Sequence, residues 1–334
     1  MPEPIDIPPE AFAAKPVFAD FPGPDLVAEV REWVKHSPPW AWRGHTHAAP
    51  DADEAQAIRY VADFRLPKGV ESPCPCCWPR HPKFGTGFIA WFPNSRCIRL
   101  MGRDCFRSLN PEGHDSAIQE LDQRTRRAAT ISYLTANLDK RFEAIRALER
   151  AIPMAEQIDV LQDVLGQRLR RDIGVDLWQL LRDGGQLKVL EDTPRGPVFV
   201  PHASIEGYLL VDPARKQVLP RLRTALRHLE SIDLPLGVIN TNDSQRDVAA
   251  KAFSRGMTVG KDVVATILDC RKFVSIVSLA TIRAWAERPN SSANIYVRRD
   301  GLELYIGKTQ SSVRRITLDG CIDLPVPTLP DIAV

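Results

Sequence analysis

Five of the seven cysteines lie between Cys74 and Cys105, in CPCCWPRHPKFGTGFIAWFPNSRCIRLMGRDC. Thiolate sulfur and imidazole nitrogen are the donors that zinc prefers, four at a time in a tetrahedron. Cys74 and Cys77 have the Cys-x-x-Cys separation that lets one tight turn present both sulfurs to a single ion, and Pro75 stiffens that turn. Cys105 follows three residues after Gly102. The first twenty residues hold acids and prolines without an apolar core, so no secretion signal is expected. The thiols are therefore expected to be reduced or metal-bound in a cytosolic protein. The other readings are free thiols or a redox disulfide. A thiolate-rich set suits a structural Zn2+ better than a catalytic one, which keeps a position open.

The fourth ligand is open among four residues. His81 ranks first, because it follows the turn closely enough to bend back onto the ion. His114 and Cys97 come next, and Cys76, crowded between two ligands, comes last. Between the Cys-x-x-Cys turn and Cys105, GFIAWF and CIRLM read as strands joined through Pro93-Asn94-Ser95. A cysteine turn, a hairpin and a Gly-x-x-Cys at the next turn resemble the treble-clef zinc fingers of bacterial and phage type, over about residues 70 to 116. The resemblance implies a fold for that segment. Treble clefs serve as nucleic-acid readers, protein docking modules or plain staples, so it implies no single activity.

The elements that must position these cysteines read as α+β: a zinc finger, a long helical hairpin and a mixed α/β C-terminal domain. The divisions fall at 1–70, 71–115, 116–185 and 186–334. A proline-rich arm with Phe12, Phe18 and Phe21 is expected to lie across a surface. DLVAEVREWVKH, capped by Asp25, and EAQAIRYVADF, capped by Asp51 or Asp53, are expected as helices. His36, His45 and His47 read as a solvated loop, and Trp40 and Trp42 as packing onto the body of the protein or as an exposed aromatic patch. A capping box of Ser116 and Gln119 opens a helical stripe, expected to turn back near Pro153. DLWQLLRD is a further helix, ending at Gly184-Gly185. QLKVL, PVFV and GYLLV read as strands. QVLPRLRTALRHLESI, SQRDVAAKAF, KDVVATILDC and SLATIRAWAE read as helices. NIYVRRDGLELYIG reads as a hairpin turning at Asp300-Gly301.

A net charge of +2 carries no global signal for nucleic acid or an anionic membrane, and no apolar run is long enough to span one. Local clusters, Arg124, Arg126 and Arg127, then Arg168, Arg170 and Arg171, could contact phosphates, although nearby acids make a solvated face the plainer reading. Gly307-Lys308-Thr309 lacks the earlier glycine of a phosphate loop. His114-Asp115-Ser116 is too contiguous for a triad, and Cys270 sits in an apolar helical pattern where thiols are inert. The function expected is a non-enzymatic, zinc-stabilised binding or regulatory protein, with a protein or a nucleic acid as partner. The alternative is an enzyme of unrecognised class with its site in the C-terminal domain.

Overall fold

Thr86–Phe92 (β2) and Cys97–Gly102 (β3), buried along most of their length, form the expected antiparallel pair, in register from Gly87 opposite Gly102 to Phe92 opposite Cys97. A computed structural model describes residues 3–172, 183–212, 215–291 and 295–333, apart from the side chains of 166–172. The chain divides into two compact units, Met1–Ala129 and Thr130–Val334. The described residues form eight α-helices and three small antiparallel sheets, an α+β arrangement. None of the helices is long and apolar enough to cross a membrane.

In the first unit, the short helix Pro9–Ala13 (α1) is followed by Pro24–His36 (α2). Gly23 is the N-cap of α2 and Pro24 takes the first helical position, so Asp25 lies in the first turn instead of capping it. EAQAIRYVADF is not a helix. Asp51 Oδ1 accepts the Glu54 N–H at 2.9 Å, ahead of a 3-10 turn, Glu54–Gln56, whose N-cap position is Asp53. Arg59–Arg65 (β1) then adds a third strand to the open edge of β2. Tyr60, Val61 and Phe64 favour a pleated surface, and pairing with β2 overrides the helical spacing. The arm does lie on this unit: Phe18 stacks on Trp42, and Phe21 lies beneath the Arg59 and Arg124 guanidinium groups. Trp42 is buried, with Nε1 donating to Glu29.

Pro111–Asn137 (α3) begins five residues before Ser116, because Pro111 starts the helix and Asn110 Oδ1 accepts the Gly113 N–H at 2.8 Å. The turn expected at Pro153 is absent. The chain breaks at Leu138-Asp139, and Lys140–Asp172 (α4) runs through the proline. Buried Ala151, Met154, Ala155 and Ile158 hold that region in place despite the lost hydrogen bond. The expected helix DLWQLLRD lies almost wholly outside the described residues, as do the side chains of Arg168, Arg170 and Arg171.

In the second unit, Gln186–Thr193 (β4) and Gly196–Ser204 (β5) pair as a hairpin. GYLLV is a 3-10 turn instead of a strand: Gly207 has φ 70°, and a side chain there would strike the Asp269 carbonyl. Val218–Glu230 (α5) starts where the Asp159 carboxylate accepts the N–H groups of Val218 and Leu219 at 2.7 and 2.9 Å. After the single turn Gly237–Asn240 (α6), one continuous helix, Asp243–Phe273 (α7), replaces the two pieces expected. A Cβ on Gly256 would come within 2.7 Å of Leu229, so glycine lets α7 lie close against α5. Ile276–Ala286 (α8) follows. Tyr296–Asp300 (β6), Glu303–Gly307 (β7) and Arg314–Thr317 (β8) form the last sheet. Asp300 pairs with Glu303, which makes Gly301-Leu302 the turn, one residue later than expected.

Candidate metal centre

The turn after Ser72 is closed by Cys74 and Trp78, whose backbones exchange N–H···O bonds of 3.0 and 3.1 Å. The exchange turns the cysteine side chains toward the end of β3, where Cys105 N–H bonds Gly102 O at 3.2 Å. The Sγ atoms of Cys74, Cys77 and Cys105 all lie within 4.8 Å of one another. Zinc–thiolate bonds of about 2.3 Å place tetrahedral neighbours roughly 3.8 Å apart, so the donor type and spacing suit a thiophilic ion. Cys74 and Cys105 are buried and Cys77 is half-buried. Gly102 is required where it stands, because a Cβ there would sit 2.7 Å from Cys105 Sγ and 3.1 Å from Phe84.

The thiols share charge unequally. Hydrogen bonds from the Cys105 and Cys76 thiols, with backbone N–H groups of Gly102 and Cys76, outweigh burial and hold Cys74 far below the usual thiol range. Cys105 is pushed up, chiefly by its hydrogen bond to Cys74 and by burial. The direction at Cys74 favours the thiolate, the form in which a cysteine binds metal.

His81 is not brought to the three sulfurs. Its ring lies edge-on to Trp78, with centroids 5.6 Å apart. His114 is fully buried, with Nδ1 2.7 Å from the Tyr60 hydroxyl. Cys97 donates to the Ser95 carbonyl at 3.5 Å. Cys76 likewise lies outside the group of three mutually close sulfurs.

The structure also uses residues that the sequence reading set aside. His45 and His47 are buried instead of solvated. Leu100 N–H donates to His45 Nδ1 at 3.0 Å, His45 Nε2 lies 3.0 Å from His47 Nδ1, and His47 Nε2 lies 2.8 Å from Pro79 O. A backbone donor at one end and a carbonyl at the other fix the direction of the chain. Both rings are neutral, and each carries its proton on Nε2. Burial, with His47 and Arg99 nearby, holds His45 well below its ordinary range; burial also lowers His47, against the Pro79 carbonyl and Cys74. The relay ties the middle of β3 to the cysteine turn. Its sequence signal is the two-residue spacing of the histidines, which puts both rings on one side of an extended chain.

Beneath lies a buried ion pair. Arg99 Nη2 is 2.7 Å from Glu54 Oε2, Arg99 Nε donates to Ala48 O at 2.8 Å, and the guanidinium covers the Phe92 ring. Of the candidate phosphate-binding arginines, Arg124 is half-buried, pairs with Glu120 at 3.6 Å and donates to Tyr60 O. Arg126 and Arg127 are exposed. In the other unit, Cys270 is buried, receives Arg215 Nη1 at 2.6 Å and is pushed up to about 11, mainly by burial, as suits an inert thiol.

No family model, curated protein or solved structure matches the chain. The arrangement of its own side chains therefore carries the functional reading.

Proposed function

We propose that Cys74, Cys77 and Cys105 hold a structural zinc ion in a treble-clef-like finger. In this reading the chain is a non-enzymatic binding or regulatory protein whose partner is another protein. The observation that supports the metal is the mutual approach of three sulfurs from two separate turns. Thiolate donors favour zinc over harder cations. When bound, the ion joins the cysteine turn to the end of β3 and contributes folding free energy.

A cleft of about 390 Å³ beside the cysteine turn, lined by Val34, Pro39, Trp40, Leu66, Val70 and Pro73, supports a protein partner. Its mainly apolar lining suits an inserted apolar side chain. Engagement of Arg124 by Glu120 removes one of the three charges on which nucleic-acid binding would rest.

Purification at low salt, with elemental analysis, mass spectrometry and the ultraviolet absorbance ratio of whatever accompanies the chain, tests both halves. Stoichiometric zinc and a protein companion released by Trp40→Ala are expected. Absence of metal, or a melting curve indifferent to chelator, overturns the zinc. A nucleic-acid companion shed by modest salt and by Arg126→Ser/Arg127→Ser replaces the protein partner with nucleic acid.

A further inference from the structure

Building on the zinc and cleft readings, we infer that the N-terminal arm, Ile5–Phe18, is a strap that couples the cysteine turn to the cleft. Latched, it supplies one wall of the cleft and steadies the turn. Released, it opens the cleft and loosens the turn. The arm carries Pro8, Pro9 and Pro16 and a single short helix, α1, so little of its own structure holds it in place.

Three backbone bonds fasten it, each to a different part of the framework around the thiols. Ile5 N–H donates to Arg80 O at 2.7 Å, just beyond the Trp78 that closes the cysteine turn. His47 N–H, in the histidine relay, donates to Ala11 O at 2.9 Å, and Phe18 N–H donates to Arg96 O at 2.9 Å, in the turn between β2 and β3. Arg96 has φ 56°, the one positive value among the described non-glycine residues, a conformation that persists only where surrounding contacts hold it. Apolar anchors alternate with these bonds. Ile7 is buried, Phe12 lies edge-on to the His47 ring at 5.2 Å with the Arg80 guanidinium over its face at 5.5 Å, and Phe18 stacks on Trp42. Between the anchors, Glu10, Ala13, Ala14, Lys15 and Val17 are exposed.

The cleft shares these attachment points. Ile5 lines it from the arm, and Ser72 and Pro73 line it from the segment that runs into Cys74. One wall therefore adjoins a cysteine directly, and another is bonded to the residues that leave the cysteine turn. Each backbone bond contributes little on its own, so the strap can open locally while the sheet beneath stays folded. Coupling of this kind is reciprocal: what releases the wall weakens the hold on the ion by the same factor that loss of the ion loosens the wall.

Ile7→Ser/Phe12→Ser in the full zinc-loaded chain tests the strap, because it removes two apolar anchors and alters no residue that lines the cleft or offers a sulfur. Stoichiometric zinc and amide protection in β2 and β3 should remain. Hydroxyl-radical labelling of Trp40, read by mass spectrometry, should rise severalfold. Transfer of zinc to a chelator should quicken by roughly 3- to 10-fold, the equivalent of one lost hydrogen bond. Phe12→Ser alone keeps the buried Ile7; it should shift both readings less and in the same direction, and it serves if the double variant does not fold. Unchanged Trp40 labelling, or unchanged zinc transfer, in a variant whose Ile5 and Phe18 amides exchange freely overturns the coupling and leaves the zinc reading intact. Absence of zinc from the wild type overturns the zinc reading itself, and Trp40 labelling then still decides whether the arm is a wall of the cleft.

Discussion

The two units bury different kinds of side chain. Met1–Ala129 encloses His45, Thr46, His47, Glu54, Ser72, Arg99 and His114, most of them ionisable. Among the described polar residues, Thr130–Val334 encloses Asn137, Gln162, Thr241 and Arg246. Its interior is otherwise mainly aliphatic and aromatic, contributed by α4, α5, α7 and α8 with β4, β6 and β7. The first unit adds directional bonds and a cluster of thiols to its own apolar core. The long helices of the second unit have enough apolar face to rely on packing.

Chelation makes the sharpest cut between the two. Removing metal, or replacing Cys74 with Ser, should abolish amide protection in β2 and β3 while α5 and α7 stay protected; equal loss in both units would erase the distinction. The buried ion pair comes next. Arg99→Met leaves Glu54 charged and unpaired, for a loss of about 3–5 kcal/mol, and adding Glu54→Gln should restore part of it in denaturant titrations. In the packing-dominated unit, Leu222→Ala should cost about 2–5 kcal/mol, unchanged by chelator. A metal-dependent cost would contradict the contrast.

Acid should give the smallest effect. His45 and His47 both titrate below the ordinary 6.5 in the folded chain. As pH falls through that value, the unfolded chain takes up protons first. The relay's contribution is therefore complete above about 6.5 and declines below it. The stability difference between wild type and His45→Gln/His47→Gln, followed from neutral to mildly acidic pH, should show that slope. A flat difference would mean that the histidines are not held neutral.

Features whose cause lies nearby in the chain were legible in the sequence. The Cys-x-x-Cys turn, the Gly-x-x-Cys spacing and the two strands between them depend on local geometry, and the three sulfurs do converge. The expected helix at EAQAIRYVADF became β1, because the deciding interaction was pairing with a strand more than twenty residues away. The turn near Pro153 failed for a related reason, since burial of its neighbours outweighed the local preference of proline. His45 and His47 resembled loop histidines because their partners, Leu100 N–H and Pro79 O, are backbone groups without a sequence signature.

The threading of β3 has a consequence during synthesis. The strand is flanked by β2 on one side and by the His45–Thr46 segment, through the Thr46–Ile98 bond, on the other. Each partner is made before β3, and Cys105 is translated three residues after the strand ends. The last donor is therefore made after every strand of its sheet, with α3 the helix of that unit still to follow. If the proposed ion is bound, it can close the site before most of the second unit is made, so metal supply during translation would bear on whether the strands around the cysteines stay covered.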